Sequence, residues 1–391
     1  MVALSFLGTG KYQQTSYSYN GNVVQTNLFP FAFYEFTKPD KLFVIMTQKA
    51  KETHAEKLKQ KCKFEEILIP DGKSETEIWQ IFDLITKQIP RNEKVIFDIT
   101  HGFRSQPIIV IALLLYLRAL RNIEIENILY GAYDAKNDNN IAPVFELKSF
   151  IDLIDWSNAV HEFVNNGNMK YFNELLSNIH NNSYIKKMDN PSKQLNGAGT
   201  DLEVLTDAFA TIRLDEIFRH SYKFSKRIEQ LTEDLNNNPQ AKPFGDLIYK
   251  IFEKFKSISE AEGEKFTQKG FKAQKTIINW YLETGKYQKA LTLAREYITS
   301  KYMIEISKNT QDSLLDKEFR YRAETELGQL MDNLKNNVEL NSRQKDYADI
   351  WSALSDIRND VNHAGMRKGA IPSRGIINNT KNIVKEININ F

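Results

Sequence analysis

The sequence predicts an α/β N-terminal domain, doubly wound and mostly parallel, followed by an all-helical C-terminal half. Three observations predict it. Short apolar runs alternate with amphipathic segments before residue 150, which is the pattern of a sheet with helices packed on it. After Phe150 the apolar spacing is helical throughout. The chain has 391 residues, enough for two domains and a connector.

The elements follow in order. Val2 to Leu7 reads as a strand ending in Gly8-Thr9-Gly10. Gly21 to Tyr34 reads as a hairpin, because no helical spacing separates its strand-like segments. Lys41 to Met46 is a second apolar strand, followed by a polar helix from Thr53 to Lys61. Phe64 to Ile69 is a strand, and Asp71-Gly72 a turn. Glu75 to Gln88 carries Ile78, Ile81, Phe82 and Ile85 at helical spacing. Lys94 to Ile99 is a buried strand, Ser105 to Leu120 an apolar helix that admits Pro107 in its first turn, and Ile123 to Tyr133 a further strand.

Beyond Phe150, helices are predicted over Phe150 to Phe163, Met169 to Ile179, Leu202 to Leu235 (one or two), Phe244 to Ile258, Phe266 to Thr284, Tyr287 to Lys301, Leu314 to Asn333 and Gln344 to Asn362. Asn190 to Thr200 and Asn236 to Pro243 read as loops, rich in Asn, Gly, Ser and Pro. The domains expected are 1–155, a helical connector 156–240, and 241–391.

Composition narrows the function classes. A net charge of +2 excludes a global field for nucleic acid, so any such surface is a local patch. Cys62 is the single cysteine, which excludes a disulfide framework and a thiolate metal cluster and fits a cytoplasmic location. The six histidines lack zinc-site spacing. The start lacks a signal-peptide pattern, and the longest apolar run, Ile108 to Leu117, is too short for a bilayer. No metal and no membrane partner are expected.

Two polar runs stand at strand ends, where open α/β sheets bind ligands. Gly8-Thr9-Gly10 allows close approach of a ligand to backbone. Thr100-His101-Gly102-Phe103-Arg104-Ser105 separates a buried strand from an apolar helix, and offers backbone N–H groups, a cation and hydroxyls to an anion. Capping and turn chemistry explains Thr100, Gly102 and Ser105, but does not call for His101 and Arg104 as well. Gln48 and Tyr133 follow two other strands on the same edge. Tyr133 suits stacking on a base or a place in the core.

The C-terminal helix ends Ser355-Asp-Ile-Arg358-Asn359-Asp360-Val361-Asn362-His363-Ala364-Gly365. Arg358 and Asn362 share one helix face, Asn359 and His363 the adjoining one. Cleavage of RNA without metal needs a group that moves a proton near neutral pH and a cation for the phosphate. Histidine and arginine are suited to those tasks. The plainer reading is a solvated helix end with Gly365 as terminator.

Asp98-x-Thr100-His101-Gly102 resembles the DxTHG signature of CRISPR-associated proteins with a CARF domain. Arg358 to His363 resembles the R-x4-H motif of HEPN ribonucleases. Trp280 to Leu291, followed by Arg295-Glu296, is similar to the helix pair these proteins place before the catalytic helix. The features occur in the family's order, that of type III CRISPR ancillary ribonucleases built as CARF–HEPN homodimers.

The resemblance implies a cyclic oligoadenylate activator, a tetra-adenylate first and a hexa-adenylate as alternative, bound across two CARF domains. It implies metal-independent cutting of single-stranded RNA where two HEPN helices meet. Arg358 and His363 are then the catalytic pair, with Asn359 and Asn362 in support. Gly8, Thr9, Gly10, Thr100, His101, Gly102, Arg104 and Ser105 map to the activator pocket, with Gln48 and Tyr133 at its edge. The partners are the activator, RNA and a second copy, in a dimer or a higher oligomer. Two other readings are open: a nucleotide-sensing transcriptional regulator, and an enzyme that degrades the activator. A nicotinamide-dependent enzyme fails on the glycine pattern.

Overall fold

The computed structural model describes residues 1–102, 106–185, 190–237, 245–305, 314–366 and 368–391. The chain divides into two compact units, Met1–Ile154 and Asp155–Phe391.

The first unit is built on an eight-stranded sheet in the order β3-β2-β8-β7-β6-β1-β4-β5. These are β1 Val2–Leu7, β2 Thr15–Tyr19, β3 Asn22–Thr26, β4 Lys41–Met46, β5 Glu65–Leu68, β6 Lys94–Asp98, β7 Glu124–Gly131 and β8 Ile141–Glu146. The strands β5, β4, β1, β6 and β7 are parallel throughout. The chain leaves β1 toward β4 on one side and later fills β6 on the other, so the order reverses at β1/β6.

Strand β1 shows why both faces are covered. Val2, Leu4 and Phe6 enter one core, with α4 (Glu75–Gln88) and α5 (Gln106–Arg121). Ala3 and Leu7 enter the other, with α1 (Phe29–Thr37). Period-two alternation sends successive side chains to opposite faces, and both are apolar here. Ser5 on β1 and Asp98 on β6 are the polar exceptions, buried and paired in register.

Three expectations need correction in this unit. The hairpin lies earlier than predicted: β2 and β3 pair antiparallel around Asn20-Gly21, both at positive φ, as a tight two-residue turn requires. Residues from Phe29 onward instead form α1, with Pro30 in its first turn. The polar helix starts sooner, at α2 (Gln48–Ala50), and passes through a π-turn, Lys51–Ala55, into α3 (Glu56–Lys59). Strand β8 was not anticipated at all.

The second unit is helical: α7 Lys170–Ile185, α8 Leu195–Thr211, α9 Leu214–Asn236, α10 Gly245–Ser259, α11 Gln268–Glu283, α12 Tyr287–Glu305, α13 Lys317–Lys335, α14 Ser342–Asn362 and α15 Ser373–Asn390, with α6 (Lys148–Asn166) leading in. One apolar core runs from Trp156 to Ile387, so the segments expected as connector and terminal domain share it. Residues 195–200 are the first turns of α8, not loop. Gly199 is buried there, where a Cβ would meet Asn173 Oδ1 at 2.6 Å. Glycine therefore serves helix packing at this position. The expected loop Asn236 to Pro243 lies outside the described residues from 238 onward. Helix α15 was not anticipated. Among the described residues no helix is long and apolar enough to cross a membrane.

Candidate functional site

The sheet places β1 and β6 side by side, and their carboxyl ends carry the two polar runs. Ser5 Oγ donates to Asp98 Oδ2 at 2.5 Å, and Asp98 Oδ1 accepts from Thr100 N at 2.8 Å. The second bond is an Asx-turn contact that bends the chain out of the strand. The turn closes with Gly102 N donating to Ile99 O at 3.2 Å. Thr100 Oγ1 then accepts from Gly131 N at 2.8 Å, which ties the ends of β6 and β7 together. Burial pushes Asp98 up to about 6, against the pull of its Ser5 and Thr100 bonds.

His101 points back across the edge. Its Nε2 accepts from Phe29 N at 3.2 Å, and its ring stacks on Tyr12 with centroids 3.8 Å apart and 27° between planes. Burial, helped by His54, pushes His101 down to about 3, so the ring is a neutral acceptor at physiological pH. Tyr12 is raised by burial, although Gly10 and Gly8 backbone bonds pull the other way. The loop needs its glycines for this reason. A Cβ on Gly8 would sit 2.7 Å from Tyr12 Oη and 3.1 Å from His101 O; one on Gly10 would sit 2.9 Å from the Tyr12 ring. Thr9 is half-buried between them. His54 contacts Gly10 O at 2.9 Å.

A cavity of about 370 Å³ opens here, lined by Lys11, Tyr12, Gln13, Tyr17, Thr100, His101, Tyr130, Gly131, Tyr133 and Asp134. Aromatic faces, one cation and one carboxylate suit a ligand that carries bases and phosphates. Tyr133 is half-buried, its hydroxyl donates to Gln13 Oε1 at 2.7 Å, and Lys136 Nζ lies 3.8 Å over its ring.

The structure thus brings Thr100, His101 and Tyr133 onto one cavity, with Gly8 and Gly10 behind Tyr12. Gln48 is not among the lining residues. It is exposed and donates to Glu52 Oε1 at 2.9 Å, because Thr47, not Gln48, caps the helix after β4. Gly102 shapes the turn without lining the cavity. Arg104 and Ser105 lie outside the described residues. Sequence reasoning missed Lys11, Tyr12 and Gln13, although they follow Gly10 directly. It also missed Tyr17 and Tyr130, which the β2–β8 and β8–β7 pairings bring together at this edge.

The second set sits at the end of α14. Asn341 and Gln344 form a capping box at its start, and Tyr347, Ile350, Trp351, Leu354 and Ile357 bury one face. Arg358 flanks that face and is half-buried, and its Nε is buried without a hydrogen-bond partner. Asn359, Asn362 and His363 are exposed, and Gln288 Nε2 donates to Asn362 Oδ1 at 3.4 Å. The helix stops at His363, whose N–H donates to Asn359 O at 3.1 Å. Ala364 (φ 51°) and Gly365 (φ 68°) then turn the chain left-handed. Asp360 Oδ2 accepts from Ile371 N at 2.7 Å and pins the returning loop, a role the sequence reading did not assign. Among the described residues no three His, Cys, Asp or Glu side chains converge as a metal site would require.

Comparison with known proteins bears on the first unit. Residues 2–134 match the family described as CRISPR system endoribonuclease Csx1, CARF domain. Over 338 residues the chain is 22% identical to CRISPR-associated protein MJ1674 of Methanocaldococcus jannaschii. The match takes in 84% of this chain and 46% of that protein, so the chain spans about half the length of this curated relative. The Asp98–His101 turn and its cavity fall within the matched residues. The first unit thus carries the match to a CARF domain, and over most of its length the chain is similar to a CRISPR-associated protein.

Proposed function

We propose that this protein is an endoribonuclease of type III CRISPR defence, switched on when cyclic oligoadenylate binds the CARF domain, and that it cuts single-stranded RNA without a metal. Arg358 carries the nuclease half. A buried guanidinium nitrogen with no hydrogen-bond partner is costly, and an anionic phosphate would satisfy it. His363, about one and a half turns on and exposed, moves the proton of the attacking 2′-hydroxyl, while Arg358 holds the charge that develops on phosphate. Asn359 and Asn362 orient the scissile group. The product ends in a 2′,3′-cyclic phosphate.

One chain presents one such set on an open helix end, and this supports a composite site made by two copies. The CARF unit supports the same arrangement. Helix α5 begins just beyond the Thr100–Gly102 turn, and Ile108, Tyr116 and Leu120 are exposed along it, with Trp79 exposed on α4. An unpartnered apolar stripe of this kind suits a second copy across a two-fold axis, which would set two cavities beside one symmetric ring.

The test is cleavage of a labelled single-stranded RNA by purified protein with rings of three, four or six adenylates, with and without EDTA. Cleavage with the tetra-adenylate, unchanged by EDTA, is expected. No cleavage with any ring removes the assignment.

A further inference from the structure

Phe209, Phe255, Ile258 and Trp280 wall a cavity of about 210 Å³ in the helical unit, with Thr276, Asn279 and the carboxylate of Glu283 completing its lining. Phe209 lies 4.4 Å from Trp280 and 5.7 Å from Phe255, centroid to centroid. Phe209 and Phe255 are buried, whereas Trp280 is half-buried. Core packing accounts for the first two. It does not account for the open volume beside the third, since well-packed cores leave few voids larger than a water.

Two lysines stand next to residues of this slot without lining it. Lys289 Nζ lies 3.5 Å from Phe209 O, and Lys275 Nζ lies 3.5 Å from Asn388 O. The Lys275 carbonyl accepts from Asn279 Nδ2 at 2.9 Å, so the lysine is fixed to the rim. Both lysines are half-buried, Lys289 Nζ also lies 6.0 Å over the Tyr281 ring, and neither lysine forms an ion pair among the described residues. Both are depressed below the ordinary lysine range, first by burial and then by Lys286 for Lys289 and Lys301 for Lys275. Half-buried cations without a counter-charge are costly alone and are relieved by an anion. An aromatic side chain on a cavity with cations nearby is how proteins hold single-stranded nucleic acid: the base stacks and the backbone meets the charges.

Helix α12 links Lys289 to the end of α14. Gln288, which bonds Asn362, is the neighbour of Lys289 in α12, and Trp280 is one turn before the α11–α12 corner. We propose that the Trp280 slot is a nucleobase subsite for the RNA substrate, in which one base stacks on Trp280 and adjacent phosphates lie on Lys275 and Lys289. This rests on the ribonuclease reading above and adds a substrate contact outside the Arg358–His363 set.

The experiment uses the full chain with saturating activator. Affinity for a fluorescent single-stranded RNA is measured in a His363→Ala background, and KM and kcat in the otherwise native chain. The pair Lys275→Glu with Lys289→Glu should weaken RNA binding at least ~10-fold and raise KM with kcat nearly unchanged. The salt dependence of binding should fall by about 0.7 per lysine. Lys275→Arg with Lys289→Arg should restore binding, and Thr276→Phe, which fills the slot without changing charge, should weaken it. Unchanged RNA affinity in the glutamate pair, or in Thr276→Phe with activator binding intact, overturns the subsite while leaving the nuclease standing. Failure of the parent protein to bind RNA overturns both.

Discussion

Ser5 and Asp98 face each other in register across the β1/β6 pair, with both side chains buried and Ser5 Oγ 2.5 Å from Asp98 Oδ2. They stand where the strand order reverses. The contact therefore joins the two halves of the sheet directly below the turn that presents Thr100 and His101. Asp98 holds Thr100 N, Thr100 holds Gly131 N, and His101 holds Phe29 N.

This arrangement gives Asp98 and His101 opposite pH dependence. Asp98 is raised to about 6 in the fold, so the stability it contributes is full below the ordinary carboxylate range and is lost as pH rises through about 6. His101 is lowered to about 3, so its contribution is full above the ordinary imidazole range and is lost as pH falls toward about 3. Between about pH 4 and pH 6 the two slopes, each at most about 1.4 kcal/mol per pH unit, oppose each other. Relative to the parent, His101→Gln should gain stability on acidification across this window and Asp98→Asn should lose it. Urea denaturation of the CARF unit at the two pH values measures both. Parallel behaviour of the two variants would show that the pair does not titrate as described.

The glycines of the first loop should prove intolerant. Gly8→Ala places a methyl 2.7 Å from Tyr12 Oη, beside the His101 carbonyl, and Gly10→Val crowds the Tyr12 ring. Either change should move Tyr12 off His101 and weaken cyclic oligoadenylate binding ~10-fold or more. Cleavage at saturating activator should survive in part, because α14 is untouched. Calorimetry gives affinity and stoichiometry together. Native affinity in both variants, or one ring per chain in the parent, would count against a shared pocket built on this loop.

How far the sequence revealed this site depends on which contacts are local. Thr100, His101 and the glycine pair were readable because strand ends and helix starts are marked by neighbouring residues. Tyr17 and Tyr130 were not, since they reach the cavity only through pairing of β2 with β8 and β8 with β7. Gln48 was misplaced because its position after β4 gave no sign that Thr47 would cap the helix and leave Gln48 facing Glu52. Glycines misled the reading of residues 195–200, where Gly199 permits close helix packing and the chain does not bend. Helix α15 was overlooked because its polar residues, many of them Asn, obscure the apolar spacing of Ile383, Val384 and Ile387.

Ala364 holds φ 51° immediately after the α14 cap, a conformation that costs a residue with a Cβ about 1 kcal/mol or more relative to glycine. Ala364→Gly should therefore stabilise the helical unit by about 1 kcal/mol, read as a higher thermal midpoint. The neighbouring His363 is exposed and its backbone bond to Asn359 is retained, so RNA cleavage should change less than ~3-fold. A lower midpoint would show that the alanine methyl makes contacts worth more than the strain.

The proposed chemistry rests on two side chains about one and a half helical turns apart. His363→Ala removes the proposed proton-transfer group, and Arg358→Ala removes the half-buried guanidinium whose Nε has no hydrogen-bond partner. Each should lower RNA cleavage at least ~100-fold while activator affinity is unchanged, because the CARF cavity lies in a separate unit. Arg358→Lys separates charge from geometry. An ammonium supplies the cation without the planar fork, so it should recover only a small part of the rate. Arg358→Ala also removes an unpaired buried donor, and its stability should hold or rise slightly; a fall of several kcal/mol would mean that the arginine is structural. Full cleavage by either alanine variant, with the fold intact by circular dichroism, would place the active site away from the end of α14.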